Sequence, residues 1–316
     1  MKIFDAHGDL FTHFFSGQKL KETAIFKNHH YDNFKNGNVG FGVFNFWIED
    51  SKNKTTQDIV DMFSYAIKEV IQNKYLKPVY KFSDFDLSDN RVQFLIGLEG
   101  IDYLNSANDL YMMYQFGVRL VSLTWNGGNK FASSNTCEID NGLSKEGIEA
   151  IKVMNNLGVI NDISHLSDKS AMQILELSSK PVVASHSNVR NIVNHPRNLT
   201  DELIKKVAKT NGVIGLNSFV KFIADDKDNY NIEHMISHMN YIKDLVGVDH
   251  ICFGFDFMDY LTPYSPFVED IVYIENFKNH GDMNNLINAM VSNGYTQDEI
   301  EKIAYKNFFR VIKEVL

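Results

Sequence analysis

Residues 92–99, VQFLIGLE, form an almost unbroken apolar run that ends on a carboxylate able to bind a metal. Four other apolar runs end in the same way: Lys2–Ala6 before His7 and Asp9, Val159–Ser164 before His165, Val182–Ser185 before His186, and Ile251–Phe255 before Asp256. Parallel strands bring their carboxyl ends to one edge of a sheet, where α/β enzymes carry their chemistry. The pattern therefore predicts a metal cluster assembled from distant parts of the chain.

The strand pattern predicts one α/β domain over residues 1–316, a (β/α)8 TIM barrel. Several of the candidate strands are apolar throughout, as expected for parallel strands buried on both faces. Helical patterns lie between them, which favours a barrel. The candidate strands span residues 2–7, 40–47, 92–98, 118–124, 158–163, 181–186, 212–217 and 250–256.

Three helices have clear sequence signals. Residues 55–73 carry an apolar stripe at helical spacing: Ile59, Met62, Phe63, Ala66, Ile67, Val70 and Ile71. Thr200 is a candidate cap for the helix that follows it, and Thr296 with Glu299 forms a capping-box pattern before the final helix. The long connections at 16–38, 125–143, 218–230 and 257–281 are expected to be substrate-binding loops.

Composition narrows the class of protein. The chain has 316 residues, of which 44% are hydrophobic and 22% charged, as in ordinary globular proteins. A net charge of −9 argues against nucleic acid or an anionic membrane as the main partner. Two cysteines without metal-binding spacing, no signal-peptide pattern and no membrane-spanning run favour a cytoplasmic location.

The candidate ligands differ in how specific their signals are. His7 and Asp9, two residues apart after a strand, would point to one side, although this spacing alone is common. Glu99 lies between two glycines, where a salt bridge at the barrel rim is the alternative to a carboxylate shared by two cations. His165 and His186 follow consecutive strands, and the mixed ligand set favours zinc without excluding manganese or iron.

Asp256 is the candidate proton carrier or further ligand at the last strand, with Asp259 as its competitor. Arg197, followed by Asn198, could bind a substrate carboxylate through two parallel hydrogen bonds, or form an exposed ion pair. The placement of His13 and His195 is ambiguous. Surface or core roles suffice for the remaining histidines: His29 and His30 in a loop, His234, His238 and His280 near helices, and His250 at the start of the last strand.

Taken in order along the chain, these motifs resemble the renal (membrane) dipeptidase family of zinc dipeptidases, which have amidohydrolase-type barrels. The resemblance covers nearly the whole sequence. It rests on DAHGDL (5–10), GLEG (97–100), GVRLVSLTWN (117–126), GVINDISHLSD (158–168), PVVASHSNVR (181–190), HPRNLTDELI (195–204), GFDF (254–257) and NFFRVI (307–312).

The resemblance implies hydrolysis of small dipeptides with two zinc ions per chain, and a homodimer as the expected assembly. One zinc would be held by His7, Asp9 and Glu99, and the other by Glu99, His165 and His186. By the same resemblance Glu99 would bridge the ions, Asp256 would orient a bridging hydroxide and move its proton, and Arg197 would bind the free carboxylate of the dipeptide.

Two positions depart from the family pattern. Trp125 and Asn126 stand where renal-type members have a histidine that steadies the oxyanion, so Asn126 is the candidate substitute. Both residues are candidates for substrate binding, together with Arg197 and Asn198. Met258 and Asp259 replace the usual sequence after Asp256–Phe257, which affects the neighbouring loop. The alternatives are another binuclear hydrolase acting on a cyclic amide, lactone, β-lactam or phosphoester, and a catalytically silent barrel that only binds metal.

Overall fold

The computed structural model describes residues 1–48, 54–261 and 272–316. Nine strands are assigned in this part of the chain: β1 Ile3–Gly8, β2 Val39–Trp47, β3 Leu76–Pro78, β4 Val92–Glu99, β5 Val118–Ser122, β6 Ile160–Asp162, β7 Val183–Ala184, β8 Val213–Leu216 and β9 Ile251–Phe253. The α-helices are α1 Leu10–Lys19, α2 Tyr31–Asn36, α3 Thr56–Gln72, α4 Asp109–Gln115, α5 Lys145–Leu157, α6 Asp168–Leu177, α7 Asp201–Lys209, α8 Val220–Ile223, α9 Ile232–Val246, α10 Met283–Ser292, α11 Gln297–Glu301 and α12 Asn307–Val315.

Eight of the strands close into a parallel barrel. The order is β2-β1-β9-β8-β7-β6-β5-β4, and pairing between β2 and β4 completes the ring. Strand β3 is an addition that the sequence did not predict, and it pairs beside the first residues of β4. The predicted (β/α)8 TIM barrel is therefore confirmed. The one short extra strand lies at the end of the barrel where the strands begin, which we call the lower end.

Side chains facing the barrel interior change from apolar to polar along each strand. Phe41 and Val43 of β2 and Leu95 of β4 belong to a buried apolar cluster inside the barrel. Continuing in steps of two, the same faces carry Asn45 on β2 and Glu99 on β4. The strands therefore present their polar groups together at the carboxyl edge of the barrel.

The lower end of the barrel is closed by the last helix. Phe308, Val311, Ile312 and Val315 of α12 pack against the interior apolar cluster, and Phe308 stacks on Phe4 of β1 with ring centroids 4.4 Å apart. A separate, larger core lies between the outer faces of the strands and the surrounding helices. Access to the polar edge is thus left to the opposite end of the barrel.

The predicted helix starts are confirmed by their hydrogen bonds. Thr55 caps α3, Thr200 caps α7, and Thr296 forms a capping box with Glu299. The stripe predicted for residues 55–73 is wrong at its last member, because the Ile71 side chain points to solvent. The final helix is also less regular than expected, since a π-helical turn at Lys302–Lys306 separates α11 from α12.

The long connections contain more helix than the sequence indicated. The segment 16–38 includes the end of α1, a π-helical turn at Phe26–His30 and α2, so the loop expected there is wrong. Connection 218–230 carries α8 and a short 3₁₀ turn, whereas 125–143 has no helix or strand in its described residues. Of connection 257–281, residues 262–271 lie outside the described residues.

Asp5 joins the first and last strands of the ring. Its Oδ1 atom accepts a hydrogen bond from the backbone N–H of Phe255 at 3.0 Å, and its Oδ2 atom lies 2.7 Å from Nε2 of His280. Residue Asp5 itself is paired with Phe253 in the sheet. The carboxylate therefore fixes the junction next to His7 on β1 and Asp9, which follows the strand.

No helix among residues 1–48, 54–261 and 272–316 combines the length and the apolar character that crossing a membrane requires.

Candidate metal centre and substrate pocket

Glu99 faces three imidazole rings at the carboxyl edge of the barrel. Its Oε1 atom lies 2.9 Å from Nε2 of His165 and 3.2 Å from Nε2 of His186. Its Oε2 atom lies on the other side, 3.6 Å from Nε2 of His7. One carboxylate oxygen thus faces a pair of histidines and the other faces a third, which is the arrangement needed to share a carboxylate between two cations.

The second half of the cluster is acidic. Nε2 of His7 lies 3.8 Å from Oδ1 of Asp9 and 3.8 Å from Oδ1 of Asp256. Among the described residues, His7 Nε2 and Asp9 Oδ1 have no hydrogen-bond partner although both atoms are buried. The atoms of His7, Asp9 and Asp256, and separately those of Glu99, His165 and His186, lie close enough together to hold an ion.

Two of these residues have an unusual backbone conformation. The φ angle is +67° at His165 and +58° at Asp256, in the left-handed region that residues with side chains rarely adopt. Strain of this kind is kept where the surrounding structure fixes a side chain for function. Each residue lies three positions beyond the end of its strand, and the left-handed turn there aims its side chain at the cluster.

The histidines are held by polar groups on their Nδ1 atoms. The amide of Asn45 lies 3.1 Å from Nδ1 of His7, and Oγ of Ser185 lies 2.8 Å from Nδ1 of His186. Ser185 also donates a hydrogen bond to Asp162. Because Nδ1 is engaged in each ring, Nε2 is the atom presented to Glu99, which is the usual support for a metal-binding histidine.

Asn126 has the same kind of contact with the third ring. Its amide oxygen lies 3.1 Å from Nδ1 of His165, and the residue also lines the pocket. This contact supports His165, so the structure gives Asn126 a role in orienting a ligand that the sequence did not predict.

The cluster fits a divalent cation by its charge as well as its geometry. Burial alone would lower the pKa of His7, but the nearby carboxylates of Glu99, Asp256 and Asp9 outweigh burial and raise that pKa to about 10. Burial and the Glu99 carboxylate raise the pKa of Asp9. Within the described segments, only histidines form ion pairs with these carboxylates. Carboxylates packed this closely without a lysine or arginine partner favour a cation, and imidazole with carboxylate suits zinc.

Asp256 is partly buried at the edge of the same cluster, with 15% of its side chain exposed. Its Oδ2 atom accepts a hydrogen bond from Nδ2 of Asn217 at 3.3 Å. Burial, with a further contribution from Glu99, raises the pKa of the Asp256 carboxyl to about 6. A carboxyl with this pKa can both take up and release a proton near neutral pH. The competitor Asp259 does not line the pocket, so Asp256 remains the candidate.

A cavity of about 270 Å³ opens onto the cluster, near the lower end of the size range for small-molecule pockets. Its floor includes Asp9, Glu99, His165 and Asp256, and its walls are largely apolar. Of the substrate-binding candidates, the cavity includes Trp125, Asn126 and Arg197. The wall residues are Trp47, Trp125, Phe219, Phe222, Met258 and Leu261.

Arg197 enters the cavity from the loop before α7. The residue is 6% exposed, and one guanidinium nitrogen, Nη2, donates to the carbonyl oxygen of His186 at 3.1 Å. Its Nε atom has no hydrogen-bond partner within the described segments. Burial lowers the pKa of this guanidinium, yet arginine keeps its charge in proteins. A buried cation with an unused donor favours an anionic group of a ligand.

Asn198 is not brought to the cavity, which corrects its prediction as a substrate-binding residue. Its side chain is fully buried, and Nδ2 donates to the carbonyl oxygens of Phe222 at 2.9 Å and Val193 at 3.0 Å. These bonds fix the loop that carries Arg197. Asn198 therefore affects the site only by positioning Arg197.

Several site residues were missed at the sequence level. Asn45 and Ser185 lie on the inward faces of predicted strands, so their spacing from the ligands was a usable signal. Phe219, Phe222 and Leu261 come from long connections whose conformation no local pattern indicates. Tyr260 was also missed, although its hydroxyl accepts a hydrogen bond from the backbone N–H of Asp9 at 2.9 Å.

The closed parallel barrel with a carboxylate–imidazole cluster at its carboxyl edge defines a (β/α)8 barrel with a metal-capable site. The fold is similar to that of a metallo peptidase from Rhodobacter sphaeroides liganded with a phosphinate mimic of the dipeptide L-Ala-D-Ala, with a TM-score of 0.86, 20% identity and coverage of 100% of this chain and 99% of that one. It is also similar to an amidohydrolase from Pseudomonas aeruginosa, with a TM-score of 0.81, 22% identity and coverage of 99% and 96%.

The chain belongs to the membrane dipeptidase family, peptidase family M19, whose sequence model matches residues 1–316. In sequence it is similar to Dipeptidase tcpJ of Claviceps purpurea, with 32% identity over 225 residues. The matched region covers 70% of this chain and 50% of that relative, so the chain spans about half the length of the relative. The family expected from the sequence motifs is confirmed.

Proposed function

We propose that the protein is a metal-dependent dipeptidase that hydrolyses small dipeptides at a binuclear zinc centre. The observation that carries the proposal is Glu99, whose two oxygens face separate groups of imidazole and carboxylate ligands. Family membership supports the reaction class. His7 and Asp9 with Glu99 would hold one ion, and His165 and His186 with Glu99 would hold the other.

Bound in this cluster, zinc would lower the pKa of a water molecule and polarise the peptide carbonyl. The chain's own side chains would supply the remaining functions. Asp256 is the group that takes a proton from the attacking water and delivers it to the leaving amine, because its carboxylate borders both the ligand cluster and the cavity. The apolar walls would exclude bulk water from the reacting groups.

Arg197 supplies the selection for dipeptides. Its buried guanidinium lies in the same cavity as Glu99 and Asp256. A substrate carboxylate bound by this arginine places the peptide bond near the cluster only when the carboxylate belongs to the adjacent residue. Short peptides with a free C-terminus are therefore preferred to long chains.

The proposal is tested with a panel of L,L and L,D dipeptides assayed on chelator-treated and zinc-reconstituted protein, with metal content measured in parallel. We expect turnover only in the reconstituted protein, and loss of turnover when the C-terminal carboxylate is amidated. Hydrolysis of cyclic amides, lactones or β-lactams without dipeptide turnover would favour the alternative, a binuclear hydrolase with a different substrate. No turnover at full zinc content would favour a silent metal-binding barrel.

A variant separates chemistry from metal binding. Asp256→Asn keeps the size of the side chain but cannot carry the proton, so kcat is expected to fall at least about 100-fold while the zinc content is retained. Asp259→Asn is the matched control, since Asp259 does not line the cavity. Full turnover by Asp256→Asn contradicts the assigned proton transfer.

A further inference from the structure

A second group of metal-capable side chains lies outside the proposed catalytic centre. His13 is on α1, Glu22 follows that helix, and His29 is in the π-helical turn at Phe26–His30. One ligand atom from each lies within 4.8 Å of the other two. Nε2 of His29 and Oε2 of Glu22 are 2.9 Å apart. Two imidazoles and one carboxylate are the ligand types of a three-ligand zinc site.

His13 is supported in the way that metal-binding histidines usually are. It is fully buried, and its Nδ1 atom lies 2.8 Å from Nε2 of His30, which is also buried. The contact fixes the ring and assigns the ligand role to the Nε2 atom of His13. His30 is in turn packed against Phe26, with ring centroids 5.8 Å apart.

The other two ligands are accessible from solvent. The side chains of His29 and Glu22 are 40% and 33% exposed, so a hydrated cation could reach them without opening the core. The segment that carries them is tied down at both sides. Glu69 of α3 accepts a hydrogen bond from the backbone N–H of Phe26 at 3.0 Å, and Gln18 donates to the carbonyl oxygen of Tyr65 at 2.7 Å.

We propose that His13, Glu22 and His29 form an accessory site for a divalent cation of the zinc type, distinct from the cluster around Glu99. A fourth position is left for water, as in zinc sites with three protein ligands. Zinc ligands at bond lengths near 2.0–2.1 Å are about 3.3 Å apart in a tetrahedron, and the Glu22–His29 pair is already near this value. Small side-chain rotations bring the set together.

The site would join α1 to the π-helical turn beside the cavity. The ring of His13 stacks on Tyr260 with centroids 5.2 Å apart, and the Tyr260 hydroxyl accepts a hydrogen bond from the N–H of Asp9. A cation at His13 would therefore stabilise the same helix whose first turn follows Asp9. The role of this cation is structural, and the cation would bind whether or not the Glu99 cluster is catalytically active.

The test counts zinc atoms in the full chain. Protein treated with chelator is dialysed against buffered free zinc, and metal per chain is measured by mass spectrometry for the wild type, Glu22→Gln and His29→Gln. We expect each variant to hold one zinc ion fewer than the wild type. In thermal unfolding, added zinc should raise the Tm of the wild type more than that of either variant.

His234→Gln on α9 is the matched control, because it removes one histidine away from the site. It should keep the wild-type zinc count. An equal zinc count in the wild type, Glu22→Gln and His29→Gln overturns the proposal, as does the same loss in His234→Gln, which would indicate nonspecific binding to surface histidines. The test compares the zinc count of the wild type with that of the Glu22 and His29 variants. Its result can therefore be interpreted even if the catalytic proposal fails.

Discussion

Asn45 shows how a residue outside the cavity controls a ligand. It lies on the inward face of β2, and its amide contacts Nδ1 of His7 at 3.1 Å. Gly97 on β4 leaves room for this amide, because a Cβ atom at that position would be only 1.9 Å from Oδ1 of Asn45. The amide atom nearest to Nδ1 is Nδ2, which is a donor. A half-turn of the amide exchanges its nitrogen and oxygen, and Oδ1 would then accept the Nδ1 proton of a histidine whose Nε2 binds a metal.

Replacing Asn45 tests this support. Asn45→Leu removes the acceptor and should weaken zinc binding about 10- to 100-fold, whereas Asn45→Asp keeps an acceptor and should retain more of the affinity. The measurement is competition for zinc against a chelator of known affinity, with unfolding checked by circular dichroism. Equal zinc affinity in the wild type and Asn45→Leu contradicts the role.

Arg197 gives the second prediction at this scale. Removing its hydrogen bonds to a charged group should cost about 1.5–3 kcal/mol, so Arg197→Ala should lower kcat/KM for dipeptides by about 10- to 150-fold, mainly through KM. Arg91→Ala is the control, because Arg91 is a surface residue paired with Asp89. The variant and the wild type should hydrolyse an amidated dipeptide at equal, low rates; a difference there assigns Arg197 another role.

At the scale of elements, the barrel was predictable because its strands are apolar and five of the eight predicted strands lead to a metal-capable side chain. Strand β3 was missed because three residues carry too little pattern. Strand β7 is shorter than the predicted 181–186, since pairing is restricted to Val183–Ala184 and Ser185 is used for contacts with Asp162 and His186. The π-helical turn at Lys302–Lys306 was missed because helix periodicity continues through it. The turn at Phe26–His30 was missed because residues 16–38 were predicted to form a loop.

Alanine is expected to destabilise the fold by different amounts at two strand glycines. A Cβ atom at Gly215 of β8 would lie 1.9 Å from the carbonyl oxygen of Ser185, which is backbone and cannot move away. At Gly40 of β2 the nearest atom belongs to the flexible side chain of Lys2. Gly215→Ala should destabilise the fold by about 3 kcal/mol, and Gly40→Ala by less than about 1 kcal/mol.

Urea unfolding of both variants measures the difference. Equal loss of stability would mean that the barrel accommodates a methyl group between β7 and β8.

At the scale of the whole molecule, the ligands were predictable and the walls of the cavity were not. Ligand positions follow from strand ends, which a single sequence indicates. The walls combine residues such as Trp47 on β2, Phe222 in α8 and Leu261. Their proximity depends on how long connections fold over the barrel, and local patterns do not contain that information. The loop predicted around His29 was wrong for the same reason, since this residue lies in a π-helical turn.

His238 makes the stability of the whole fold depend on pH. It is buried on α9, where Nδ1 accepts from the N–H of Val189 and Nε2 bonds the carbonyl oxygen of Ile223, both at 3.0 Å. Burial lowers the pKa of His238 to about 4, against about 6.5 in the unfolded chain. Below pH 6.5 the unfolded chain binds a proton at His238 that the folded chain excludes, so this residue contributes a fall of about 3 kcal/mol in the free energy of unfolding between pH 6.5 and 4. Burial also lowers the pKa of His13 and His30, which add to the fall.

The variant His238→Gln removes this titration. It should be less stable than the wild type by about 1–3 kcal/mol at pH 7.5, and the gap should narrow at pH 4.5. Denaturant unfolding at the two pH values measures it, with the exposed Ser237→Ala as control. Parallel loss of stability in the wild type and His238→Gln excludes His238 as the source.

The junction made by Asp5 between the first and last strands has a consequence for folding. Asp5 and Phe255 are 250 positions apart, and the ligands His7 and Asp256 meet only when this contact forms. Contacts so distant in sequence form late, after local helices. A refolding chain should therefore regain its helical circular dichroism before it regains affinity for dipeptides, and the delay between the two signals measures the time needed to close the ring.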